Sequence, residues 1–189
     1  MSSNLRQLVA SMRMMLVLTL LLGVLYPAAV WGIGRVAFAD QAGGSLVHRD
    51  GAVVGSTLLG QSFTDARFFQ GRPSASEYAG GVSGGSNLAA SDPDQVKTVK
   101  ERAAAYAATN SGSAPADALT ASSSGLDPQI SPANARAQAH RVAAANGLSR
   151  AEVMKLVQAN TQGRSLGFLG EPRVNVLELN LAVQDAAGR

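Results

Sequence analysis

Between Arg13 and Arg35 the chain carries no charged side chain, and residues 14–34 are dominated by Met, Leu, Val, Ala and Trp. A helix over this stretch rises roughly 31 Å at 1.5 Å per residue, against a hydrocarbon core of about 30 Å. A single segment in lipid must satisfy its own backbone polar groups, so a helix is the conformation open to it. Tyr26 and Trp31 lie in its C-terminal half, where amphipathic rings favour the membrane interface. The pattern predicts a transmembrane helix over 14–34, preceded by residues 1–13 and followed by a domain over 35–189. Pro27 predicts a kink or an early helix end without abolishing the span.

Two other readings of the stretch compete with an anchor. Arg6 and Arg13 before an apolar run, with Ala37-Phe38-Ala39 after it, resemble a secretory signal and its cleavage site. The run exceeds the usual signal core, however, and Gly34-Arg35 separates it from the small residues. A buried helix of a soluble domain fits poorly with apolarity all round the helix and the flanking Arg13 and Arg35. A retained anchor is the better reading. Arg6 and Arg13 precede the span with no acid between them, whereas Arg35 is soon followed by Asp40. The positive-inside rule then puts residues 1–13 in the cytoplasm and residues 35–189 outside.

Outside the anchor about 150 residues remain, enough for one domain. With no cysteine, neither disulfides nor thiolate metal sites can hold it together. Two histidines, His48 and His140, make an imidazole metal site improbable. A net charge of +3, with Lys97, Lys100 and Lys155 dispersed, offers no basic patch for nucleic acid. Abundant Gly, Ala and Ser with few aromatics imply a modest core and long loops.

Along the chain, Asp50-Gly51 between short β-prone runs predicts a hairpin within residues 43–59. Phe63, Phe68 and Phe69 predict a further strand or a hydrophobic corner. Residues 71–91 read as a long Gly/Ser loop, and residues 110–125 as another. Asp92-Pro93 caps a helix reaching about residue 108, and Ser131-Pro132 opens one that stops at Asn146-Gly147. Ser149 with Glu152 forms a capping box for a third helix. Residues 174–181 alternate apolar and polar side chains and predict a strand. The fold class expected is a single N-terminal transmembrane helix plus an extracytoplasmic α/β or α+β domain. That domain combines a small sheet, helices and long Gly/Ser loops.

Gly81-Val82-Ser83-Gly84-Gly85 fits the G-x-S-x-G pattern of a serine hydrolase elbow. Its flanks are Gly/Ser loop instead of an apolar strand, and His140 would serve as base only by coincidence, so loop is the better reading. The same glycines could cradle phosphate, but no G-x-x-x-x-G-K-[ST] motif is present. Asp127-Pro128 reads first as a turn initiator and second as an exposed acid near a cation path. Arg72 in Arg72-Pro73-Ser74 reads as a solvated group or salt-bridge partner, and less as an anion clamp.

Several segments occur together in a recognisable order: Gly55-Ser56-Thr57-Leu58-Leu59-Gly60-Gln61, Phe69-Gln70-Gly71-Arg72-Pro73-Ser74 and Ser83-Gly84-Gly85-Ser86-Asn87-Leu88. Ser124-Gly125-Leu126-Asp127-Pro128 and the run from Gly170-Glu171-Pro172-Arg173 to Asn180 follow. With these motifs, and Tyr26-Pro27 in the anchor, the chain resembles the C subunit of the Kdp-type bacterial potassium-transporting ATPase. Two departures are visible. Gln129 stands where the family has histidine after Asp-Pro, and residues 39–43 replace a segment that usually carries proline and asparagine.

The resemblance implies an accessory, non-catalytic subunit with no catalytic or metal-binding residues of its own. Its partners would be a potassium-conducting A subunit, an ATP-hydrolysing B subunit and a small F subunit. It also implies ATP associated with the complex, since the family is described as a catalytic chaperone that raises ATP affinity. Candidate partner contacts are Gly23, Tyr26 and Pro27 in the anchor and Arg72, Asn87, Gly125 and Asp127 in the domain. A direct nucleotide-binding regulator is the alternative, and a periplasmic hydrolase using Ser83 a remote one.

Overall fold

In the computed structural model, which describes residues 3–188, the N-terminal helix runs from Ser3 to Ala37, longer than the apolar stretch alone. It consists of α1 (Ser3–Leu20), a π turn (Leu21–Leu25) and α2 (Tyr26–Ala37). Pro27 has no N–H to give to Gly23, and its ring crowds that carbonyl. The backbone therefore widens just before it, and the Tyr26 N–H donates to the Leu21 carbonyl five residues back. The early helix end considered at Pro27 does not occur. None of the side chains in these helices is buried. A one-turn helix, α3 (Ala39–Ala42), follows. These elements form one compact unit, residues 1–46, and residues 47–189 form a second.

The second unit opens with the expected hairpin, β1 (Leu46–Arg49) and β2 (Ala52–Ser56). Asp50 and Gly51 both take positive φ, 50° and 78°, as a two-residue type I′ turn requires. Arg49 ties the hairpin down by donating to Gln184 at 2.8 Å and to Asp185 at 2.6 Å. Residues 57–91 contain neither helix nor strand. Phe63 and Phe68 form a corner with ring centroids 5.5 Å apart, and Phe69 is fully buried beside them.

α4 (Pro93–Thr109) starts where Asp92 accepts the N–H groups of Asp94 and Gln95. A single turn, α5 (Ala116–Leu119), interrupts what the composition describes as loop. β3 (Gln129–Ile130) leads into α6 (Pro132–Asn146), which ends on Gly147 at φ 69°. α7 (Arg150–Ala159) carries the Ser149–Glu152 capping box. β4 (Thr161–Gln162) and β5 (Arg173–Asn175) complete an antiparallel sheet in the order β3-β5-β4.

The strand expected over 174–181 is corrected. β5 stops at Asn175, and α8 (Val176–Ala186) takes over. Asn175 caps α8 by accepting the Glu178 N–H at 3.2 Å. Val176, Leu179, Asn180 and Val183 then fall on one helical face and are buried. The alternation was real over a few residues, but the cap and the i, i+3, i+4, i+7 spacing decide the outcome. The core lies where α6, α7 and α8 meet β5, with Val142, Val153, Val157, Val174, Leu179 and Phe69 at its centre.

Candidate functional site

A loop as long as residues 57–91 leaves many backbone N–H and C=O groups without a ladder, and buried ones must find partners. Side-chain amides supply them. Asn180 on α8 accepts the Phe69 N–H at 2.7 Å and donates to the Phe69 carbonyl at 3.0 Å. Gln138 on α6 repeats this at the next residue, with bonds of 2.8 and 3.1 Å to the Gln70 N–H and carbonyl. Asn146 donates to the Arg67 carbonyl and Asn175 to the Thr57 carbonyl, each at 2.8 Å. Arg141 adds bonds to the carbonyls of Ala66 and Phe68. Two helices thus hold the loop through amide pairs that imitate a strand.

Downstream, the loop is pinned to residues 122–127. The Ser122 N–H donates to the Pro73 carbonyl at 3.0 Å, the Gly84 N–H to the Ser124 carbonyl at 2.9 Å, and Ser74 Oγ to the Gly125 carbonyl at 2.7 Å. Gly125 has φ 68°, and a Cβ there would sit 2.8 Å from the Gly84 carbonyl and against Ser76, so this close approach requires glycine.

Arg72 and Asp127 meet in this clasp, joined at 3.0 Å with side chains 27% and 28% exposed. The other Asp127 oxygen accepts the Gln129 N–H at 2.9 Å, so the turn and ion-pair readings of these residues hold together. Arg72 Nε is shielded from solvent and has no hydrogen-bond partner among the described residues. The Tyr78 hydroxyl donates to the Arg72 carbonyl. Burial, reinforced by the nearby Asp127 carboxylate, pushes Tyr78 up to about 12. Tyr106, which donates to Asn134, is likewise pushed up to about 12 by burial and then by Asp117.

Beside the ion pair lies an open groove of about 650 Å³, bordered by Arg72, Asp117, Asp127, Glu171 and Arg173. Asp117 faces it while accepting the Ser131 N–H at 2.7 Å and Oγ–H at 2.9 Å, which anchors the start of α6. The groove mixes carboxylates and guanidiniums, partly self-paired, with the apolar side chains of Ile130, Leu169 and Pro172.

The structure brings Arg72, Gly125 and Asp127 together. Asn87 lies further along the same loop, exposed and at φ 54°, apart from this clasp. Gly23, Tyr26 and Pro27 belong to the helical unit, at and around the π turn, with their flanks open. Ser83 donates to the Ser124 carbonyl at 3.2 Å and sits in loop on both sides, without the strand and helix that a nucleophile elbow needs. Sequence reasoning missed Gln138, Asn175 and Asn180. No local signal marks them, because their partners in the loop lie 68, 118 and 111 residues away.

Comparison with known proteins covers most of the chain. A family described as K+-transporting ATPase, c chain (KdpC), matches residues 8–185. A protein of Sorangium cellulosum named Potassium-transporting ATPase KdpC subunit is 55% identical over 179 residues, covering 92% of this chain and 94% of that protein. One of the same name from Methylibium petroleiphilum is 53% identical over 180 residues, with coverage of 92% and 94%. Another, from Cereibacter sphaeroides, is 50% identical over 188 residues and covers 100% of both chains.

Proposed function

This chain belongs to the family of the K+-transporting ATPase c chain, and from that premise we propose that it is a non-catalytic, membrane-anchored subunit of a high-affinity ATP-driven potassium uptake complex. The observation that carries the proposal is the extent of the match, residues 8–185, from the anchor to α8. In this reading the anchor packs against the large membrane subunits, with Gly23, Tyr26 and Pro27 at the contact. The domain lies outside, where Arg72, Asn87, Gly125 and Asp127 belong to the surface that meets them. The partners are a potassium-conducting A subunit, an ATP-hydrolysing B subunit and a small F subunit.

With the domain outside, any effect on ATP affinity passes through the membrane subunits. It then requires that this chain bind one conformational state of the complex more tightly than another. The alternative of direct nucleotide contact finds less support, because the loop's polar groups are engaged internally: the Gly84 N–H by Ser124 and Arg72 by Asp127.

The test compares membranes carrying the complex with and without this chain. Without it, potassium uptake is expected to collapse and the KM for ATP to rise, whereas the purified chain alone hydrolyses no ATP. Unchanged uptake and KM in its absence would remove the subunit reading.

A further inference from the structure

α4 differs from the other long helices of the domain in how it is attached. Buried side chains root α6, α7 and α8 in the core, whereas none of the 17 residues of α4 is buried. Its second half is mostly alanine: Ala103, Ala104, Ala105, Ala107 and Ala108. Alanine favours the helix but brings little apolar surface to hold it against a neighbour. Among the described residues, four polar ties join the helix and its C-terminal end to the domain. Arg102 donates to the Leu119 carbonyl at 3.0 Å and the Tyr106 hydroxyl to Asn134 at 2.8 Å. Arg141 donates to Asn110 at 3.1 Å and the Ser111 N–H to the Ala137 carbonyl at 3.2 Å. Between α4 and α6 lies a polar cavity of about 370 Å³, walled by Arg102, Tyr106 and Thr109 on one side and by Gln70, Asn134 and Gln138 on the other.

Both ends of the helix are jointed. On the N-terminal side, the Gly84 N–H to the Ser124 carbonyl is the last hydrogen bond from the loop to the rest of the domain among the described residues, and residues 86–91 beyond it are exposed. On the C-terminal side Ser111, Gly112 and Ser113 are exposed, and Gly112, at φ 82°, has open space around it. Past this joint the chain is fixed again, where Asp117 accepts from Ser131 and Asn134.

We propose that α4 is a hinged flap: residues 86–113 leave the domain and redock as one unit, on joints at 86–91 and 111–113, while α6, α7 and α8 stay folded. Opening exchanges the four ties for bonds to water and takes no buried side chain of α4 out of the core, so it costs far less than unfolding that core. It also reaches the long loop. With the cavity uncovered, water gains access to Asn134 and Gln138, which bond to each other at 2.9 Å, and to the Gln138 bond with the Gln70 carbonyl at 3.1 Å. The seating of α4 is thereby linked to how firmly α6 holds Gln70.

The test is amide hydrogen exchange of the full-length chain in detergent micelles. A detached helix of this length is only marginally stable in water, so its amides exchange whenever the flap opens. The interior amides of α4, residues 97–109, are expected to share one protection factor about 100-fold below those of α6 and α8. Tyr106→Phe and Arg102→Gln each remove one tie. Each should lower protection across the whole of α4 about tenfold and leave α6 and α8 unchanged. Protection of α4 equal to that of α6 would overturn the flap. So would a loss confined to amides next to the substituted residue, which is fraying, or one that spreads to α6 and α8 or unfolds the domain, which would make α4 part of the core.

Discussion

At the scale of single residues, the domain's long loop is held by buried amides. Gln138 simultaneously accepts from the Gln70 N–H and donates to the Gln70 carbonyl and to Asn134. Gln138→Leu keeps the volume but leaves both half-buried Gln70 groups unpaired, a loss of about 1–3 kcal/mol. Thermal unfolding of the purified chain is expected to shift down by about 5–10 °C, and Asn180→Leu should do the same at Phe69. Tyr78 gives a pH signature. Its folded pKa, pushed up to about 12 from the ordinary 10, means that the folded state holds the proton longer than the unfolded one. The stability it contributes is complete below pH 10 and is lost as pH rises toward 12, so denaturation curves should weaken across that window, and Tyr78→Phe should flatten the change. None of these roles was legible in the sequence. A glutamine among alanines carries no mark that it will replace a strand, because its partner lies 68 residues away.

At the scale of elements, legibility followed local chemistry. The caps at Asp92, Ser131 and Ser149 and the Asp50-Gly51 turn each depend on residues within one turn of chain, and all formed where the sequence put them. Residues 174–181 did not, because two local signals competed. Alternation favours a strand, whereas Asn175 followed by Glu178 makes a helix start, and packing of Val176, Leu179 and Val183 onto the core selects the helix. Asn175→Ala removes both the α8 cap and the bond to the Thr57 carbonyl, at a cost of about 1–3 kcal/mol. Hydrogen exchange should show α8's first turn and the Thr57 region opening together. By contrast, Ser83→Ala removes one exposed bond and should leave stability within about 0.5 kcal/mol of wild type and potassium uptake unaltered.

At the scale of the whole molecule, the helix from Ser3 to Ala37 has 35 residues and rises roughly 52 Å, well beyond a hydrocarbon core of about 30 Å. In the proposed anchor some helical turns must therefore stand outside that core, and charge decides which. Arg6 and Arg13 sit in the first part of the helix, while Arg35 near the other end is followed by Asp40. The proposed orientation, with the more basic end in the cytoplasm, therefore expects the surplus turns at the N-terminal end and the domain on the opposite side. Single cysteines at Ser3 and Ser91 report this directly, since no native cysteine competes. A membrane-impermeant thiol reagent applied to intact cells is expected to label position 91 and spare position 3. Labelling at position 3 alone would invert the anchor, bring the Gly/Ser loop into the compartment that holds ATP, and make direct nucleotide contact the leading account of any effect on ATP affinity.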